Sequence, residues 1–239
     1  MWHRAAVDRP PEIADERVPG ADTPGGSTGR VPPAGVWGAG GWGAAAWGAV
    51  VAGVLVLSWW PGWDAATYHP ILDQAVHQVL LLDVGTADSP LVGPASTGGM
   101  HHPGPLGLVV LALVSRALGA GPEAALVGAG LVALASVVAA VAVVRRVGGP
   151  TGGWLFAVGA TVLLVSFGVD RVYDVWNPNL ALAPFLLFLV SAWAVTCGRW
   201  AVLPVALVSG SFAAQNHLSF VAPVVAVADG VEFSVDAMN

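Results

Sequence analysis

WGAAAWGAVVAGVLVLSWW, residues Trp42–Trp60, holds no charged side chain over 19 positions. As a helix rising 1.5 Å per residue it would run about 28 Å, close to the roughly 30 Å of hydrocarbon in a bilayer. Trp37 and Trp42 stand at one end, and Trp59, Trp60 and Trp63 at the other. An indole ring is apolar but its N–H needs a wet partner, so such clusters mark the two headgroup levels. The stretch reads as a transmembrane helix.

The whole chain agrees with that reading. Of its 239 residues 56% are hydrophobic and 10% charged, with a mean hydropathy of +0.72, against about 25% charged in soluble domains. The acidic excess, a net charge of −6, is scattered, and no basic stripe interleaved with aromatics is present, which excludes nucleic acid as a partner. The single cysteine, Cys197, excludes an intrachain disulfide and a thiolate metal cluster. Residues 1–41 hold Arg4, Arg9, Arg17 and Arg30 among many prolines and glycines. They read as a disordered cytoplasmic tail.

Beyond Trp60 further apolar runs follow at Gly104–Leu118, Glu123–Val144, Gly152–Val169, Asn179–Cys197 and Trp200–Ala214, with a last one at Leu218–Ala228. The expectation is an all-α, polytopic transmembrane bundle of about six spans, residues 42–228, in the plasma membrane. Residues 229–239, DGVEFSVDAMN, read as a polar tail that marks a truncated or frame-altered end.

The loop of residues 61–103 between the first two runs has no Lys or Arg and carries Asp64, Asp73, Asp83 and Asp88. The positive-inside rule puts it outside the cell. Within it, Leu72, Ala75, Val76, Val79 and Leu80 recur at helical spacing, with Asp73, Gln74, His77 and Gln78 between them. This pattern predicts an amphipathic helix lying on the membrane with its polar stripe outward.

Three motifs carry the chemistry. Asp83-Val84-Gly85-Thr86, Pro90-Leu91-Val92-Gly93 and His102-Pro103-Gly104-Pro105 lie in or just after the loop, Trp176-Asn177-Pro178 precedes a Leu/Phe-rich run, and Gln215-Asn216-His217 ends a later one. In this order they resemble a group of actinobacterial multi-pass proteins of the GT-C superfamily, glycosyltransferases that take a sugar from a polyprenyl-phosphate carrier.

The resemblance implies a hexosyl- or pentosyltransferase acting on a glycan or lipid acceptor. It implies an acidic residue of the first external loop as general base or as holder of a divalent cation, a task that suits a carboxylate. Asp73 stands first for that role and Asp83 second. His102, Arg171, Asp174, Trp176, Asn177, Gln215 and His217 are the candidates for binding sugar or phosphate, Arg171 because its planar fork pairs phosphate oxygens.

Plainer readings stand beside these. Asp73 also fits a solvated polar face, Asp83 and Asp88 fit turn formation, and Trp176-Asn177-Pro178 fits an interfacial anchor followed by a helix start. A transporter subunit would call for ionisable groups at mid-bilayer depth and internal repeats, which are not seen here. A non-catalytic membrane protein remains a rival. Topology poses a conflict as well. Strict alternation of the spans sends the Trp176 loop to the cytoplasm, away from Asp73, and sends Arg145 and Arg146 outside, against the positive-inside rule. Either one of the assigned spans is re-entrant, or two half-spans have been merged into one, or the motifs do not meet.

Overall fold

The computed structural model describes residues 68–96 and 98–236. The tail of residues 1–41 and the expected span Trp42–Trp60 lie outside the described residues. Those described are helical and contain no strand: α1 Asp73–Asp83, α2 Leu106–Ala117, α3 Pro122–Phe167, α4 Val169–Val172, α5 Asn177–Thr196, α6 Leu203–Asn216 and α7 Val221–Asp236, with 3-10 turns at Trp200–Val202 and Leu218–Phe220. The loop between α1 and α2 adds one isolated antiparallel bridge, Ala95 to His101. Two helices, α3 and α5, are long and apolar enough to cross a membrane, while Leu106–Ala117 and Leu218–Val231 are apolar but shorter.

The 46-residue α3 is two helices joined by a sharp turn. Gly149 leaves helical geometry at φ 69° and ψ −174°, and Pro150 follows it. Proline supplies no N–H and clashes with the preceding turn, so a helix cannot run straight through this pair. The limbs then fold against one another. A Cβ at Gly153 would lie 2.9 Å from Cβ of Arg145, and one at Gly152 would lie 4.0 Å from a Val144 methyl carbon. Farther along the hairpin, Ala133, Val137 and Val141 pack with Ala157, Ala160 and Leu164 in one buried cluster. Small side chains at the contact let the helices approach closely.

Two further clusters define the ends of the bundle. At one end Leu81 and Val84 of the α1 region, Leu108 and Leu111 of α2, Ala125 and Ala129 of α3, Val175, Leu180 and Phe212 pack together. At the other, Val143, Ala194 and Val202 pack with Val147 and Val205. The hairpin therefore carries the chain away from the first end and back again. α5 leaves that end and α6 returns to it.

α2, at 12 residues, is shorter than the run Gly104–Leu118 in which a span is expected. It runs beside α1: His102, just before it, shares a cavity with Asp73, and Arg116, in its last turn, donates to the carbonyl oxygens of Val84 and Leu82. α7 also differs, for it stays helical through Asp229 and Gly230 to Asp236, past the point where the apolar run breaks.

α1 is turned over relative to the expectation. His77 is 2% exposed and Leu81 3%, whereas Leu72 is 83%, Val79 60% and Leu82 55% exposed. Gln74 and His77 face the bundle and Asp73, itself exposed, accepts from the Trp176 indole; Leu72, Val79 and Leu82 face outward, while Leu80 and Leu81 pack into the bundle.

Gly149 has open space around its missing Cβ, so Gly149→Ala meets only the cost of a positive-φ extended backbone that glycine alone adopts readily, about 1–3 kcal/mol. Denaturant unfolding of the detergent-solubilised protein should show a loss of that size; unchanged stability would contradict the turn geometry.

Candidate functional site

The three motifs converge on one cavity of about 180 Å³, lined by Asp73, Val76 and His77 of α1, Pro94, Ala95 and Ser96 of the loop, His102, Trp176 and Asn177, and His217. The α3 hairpin returns the chain so that Trp176 and Asn177 line the same cavity as Asp73.

Asp73 and Trp176, 103 positions apart in the chain, are hydrogen-bonded: the indole Nε1–H donates to Asp73 Oδ2 at 2.9 Å. Asp174 stands behind this contact. Its Oδ1 accepts from Gln74 Nε2 at 3.0 Å and from the Trp176 backbone N–H at 3.0 Å, and its Oδ2 accepts from Asn179 Nδ2 at 3.1 Å. The carboxylate thereby ties α1 to the start of α5, satisfying a free N–H before Pro178 as an Asx turn does. It is committed to neighbouring groups rather than aimed at a ligand. Tyr68 lies close by, its hydroxyl buried without a hydrogen-bond partner; burial first and the Asp174 charge second push its ionisation upward.

Three imidazoles face the same space. His77 donates Nδ1–H to the carbonyl oxygen of Asp73 at 2.8 Å, which leaves Nε2 as its acceptor. His102 does the reverse: its Nδ1 accepts the Leu218 backbone N–H at 3.2 Å, so the ring proton sits on Nε2. Its ring lies 4.7 Å from that of His217 between centroids. Burial lowers the proton affinity of all three, aided at His102 by the neighbouring His217 and His77 and opposed at His77 by Asp73.

The His102 and Gln215 motifs interlock. The Gly104 N–H donates to the carbonyl oxygen of Gln215 at 3.2 Å, while the Gln215 side chain bonds Ser211 Oγ at 2.8 Å. A Cβ at Gly104 would run into the Gln215 side chain, and one at Gly107 into that of Asn216. Asn216 in turn donates to the Phe212 carbonyl oxygen at 2.7 Å. Gln215 therefore positions the wall of the cavity and does not line it. The i, i+3 glycines facing two carboxamides are the sequence signal for this contact.

Asp83 and Arg171 stand apart from the cavity. The Asp83 carbonyl oxygen accepts the Thr86 N–H at 3.0 Å and the Thr86 hydroxyl at 2.8 Å. Thr86 Oγ1 accepts the Asp88 N–H at 3.1 Å. The Asp83-Val84-Gly85-Thr86 motif is thus a turn that ends α1. Arg171 lies with its guanidinium 5.6 Å from the centre of the Phe167 ring. Among the described residues no group of three or more His, Cys, Asp or Glu is arranged to hold a metal ion. The divalent cation implied by the resemblance finds no such donor set there, and no step below runs through one. No protein family, curated protein or solved structure matches the chain.

Since the Gly107 site has no room for a methyl group, Gly107→Ala should destabilise the fold by about 1–3 kcal/mol. Adding Asn216→Ala, which empties that space, should restore part of the loss in a thermal or denaturant unfolding series. Equal losses in the single and double variants would contradict the interlock.

Proposed function

We propose that this chain is a multi-pass membrane glycosyltransferase of the GT-C type, moving a hexose or pentose from a polyprenyl-phosphate carrier to a glycan or lipid acceptor at the outer face of the plasma membrane. The observation that carries this reading is the Asp73 carboxylate, held by the Trp176 indole at the edge of a polar cavity at one end of an apolar bundle. A polar, histidine-lined cavity beside exposed apolar helix faces suits a substrate with a charged head and a lipid tail.

In the membrane arrangement we propose, six segments cross: Trp42–Trp60 by its sequence alone, the two limbs of α3, α5, α6 with its preceding 3-10 turn, and α7. α1 and α2 lie at the outer face, with the exposed side chains of Leu72, Val79 and Leu82 in the lipid interface. Arg145, Arg146 and Arg199 then belong to the cytoplasmic end, as the positive-inside rule asks. Residues such as Leu155 and Val208, 71% and 66% exposed, face acyl chains.

In the reaction, Asp73 accepts the proton of the acceptor hydroxyl as that oxygen bonds the anomeric carbon, and the bond to the carrier phosphate breaks with its electron pair. The departing phosphate is met by cavity donors, the Nε2–H groups of His102 and His217 and the carboxamide of Asn177. Trp176 holds the carboxylate so that one oxygen stays available for the proton.

Transfer from radiolabelled polyprenyl-phosphate sugars, followed in membranes of expressing cells, tests the proposal. Asp73→Asn should lower the rate by roughly 10²–10⁴, the usual worth of a general base, and Trp176→Phe by about tenfold, the loss of one charge-assisted hydrogen bond. Asp83→Asn should leave it unchanged. Undiminished transfer by Asp73→Asn removes Asp73 from the mechanism, and a wild-type chain inert toward every carrier sugar indicates a non-catalytic membrane protein.

A further inference from the structure

His102 and His217 use the same nitrogen in the same way. His102 Nδ1 accepts the backbone N–H of Leu218 at 3.2 Å. His217 Nδ1 accepts that of Ser219 at 3.3 Å and faces the Ser219 hydroxyl at 2.7 Å. The two residues therefore cap consecutive N–H groups of the 3-10 turn Leu218–Phe220, one from within the turn and one from a loop 116 positions earlier in the chain.

We propose that His102 is a positioning residue that clasps the loop before α2 to the α6–α7 turn, whose start His217 caps, only while both rings are neutral, and that acidification releases this wall of the cavity.

The argument is one of acceptor count. A neutral imidazole has one acceptor nitrogen and an imidazolium has none. Protonating His102 turns Nδ1 into a donor aimed at the Leu218 N–H, and protonating His217 does the same toward the Ser219 N–H. If both are protonated, two cations stand 4.7 Å apart between ring centroids. The groups that face His102 are Asp73 and His77 from α1, His101 beside it, and His217 from the end of α6; only Asp73 favours a charged ring. One oxygen of Asp73 already accepts from Trp176.

The clasp joins segments that few other bonds hold together. On the loop side, His102 is pinned by its N–H to the Pro94 carbonyl oxygen at 3.1 Å and by its carbonyl oxygen to the Gly93 N–H at 3.0 Å. Between loop and turn stand the Leu218–His102 bond and the Gly104–Gln215 bond. Losing the first leaves the second, at the edge of the cavity, as the remaining tie.

The sign follows from the direction of the shifts. Burial lowers the proton affinity of both rings in the folded chain, so the clasp is at full strength above the free-histidine range, about pH 6.5. It weakens as pH falls through the lower folded values. The idea is independent of the reaction proposed above, since it concerns the state of the cavity wall and not its chemistry.

Hydrogen exchange of the full chain in lipid nanodiscs, corrected for the intrinsic pH dependence of amide exchange, tests it. Between pH 7.5 and pH 5, protection of residues 216–220 should fall by on the order of tenfold, the loss of one buried hydrogen bond. Residues 133–141 in the α3 core should keep theirs. The His102→Asn, His217→Asn double variant retains an acceptor oxygen that does not titrate, and should hold its protection at both pH values. Protection of 216–220 that is unchanged at pH 5 in the wild type, or an equal fall in the double variant, overturns the proposal. So does a parallel loss at 133–141, which would mean global acid unfolding. If the double variant fails to fold, ¹⁵N chemical shifts of the wild-type imidazoles decide: Nδ1 acceptor tautomers at pH 7.5 giving way to imidazolium together with the exchange change uphold it, and titration without any exchange change overturns it.

Discussion

The reversal at Gly149–Pro150 governs what this chain can bring together. The backbone at Gly149 adopts φ 69°, a conformation that an L side chain resists, and the proline after it removes the N–H that would continue the ladder. Because the chain doubles back there, Val172, Tyr173 and Val175 return to the level of Ala133 and Ala129. Trp176 thereby reaches Asp73 across 103 positions of sequence. A straight helix through residues 122–167 would be roughly 69 Å long and would leave these two groups at opposite ends.

The polar groups gathered at that end are satisfied in a definite order. Asp174 is spent on Gln74, Trp176 and Asn179, which frees the Trp176 indole to orient Asp73. The part-buried members, Gln74 and Asn179, would leave an unpaired group if Asp174 were lost, at a cost of about 1–3 kcal/mol each where water is excluded. The histidines extend the same logic. Each has its Nδ1 assigned by a backbone partner, which fixes its tautomer and decides which nitrogen meets the cavity.

Much of this was legible in the residues alone. The uncharged runs anticipated the helices, and the gap between the runs Glu123–Val144 and Gly152–Val169 fell where α3 turns back. The motifs Trp176-Asn177-Pro178 and His102-Pro103-Gly104-Pro105 do contribute to the lining of one cavity. Other features escaped because they depend on partners distant in sequence. The helical spacing of α1 showed two faces but not which one the bundle covers; the answer lies with Asp174 and Trp176, a hundred positions on. Apolar content marked Gly104–Leu118 as a helix but gave no sign of its partners: the interlock of Gly104 and Gly107 with Gln215 and Asn216 and the hold of Arg116 on the Val84 carbonyl oxygen. Asp83 looked like a second carboxylate for chemistry, and its backbone serves a turn instead.

In the arrangement we propose, Asp73, His102, Trp176 and His217 share the outer end of the bundle while the turns at Arg145 and Arg199 share the inner one. Cys197, the sole cysteine, is exposed at the end of α5, beside Arg199. Labelling of intact cells with a membrane-impermeant maleimide tests the claim most directly. The native Cys197 should react only after permeabilisation, and an Ala87→Cys, Cys197→Ser variant should react without it. Reaction of both positions from the same side would contradict the account.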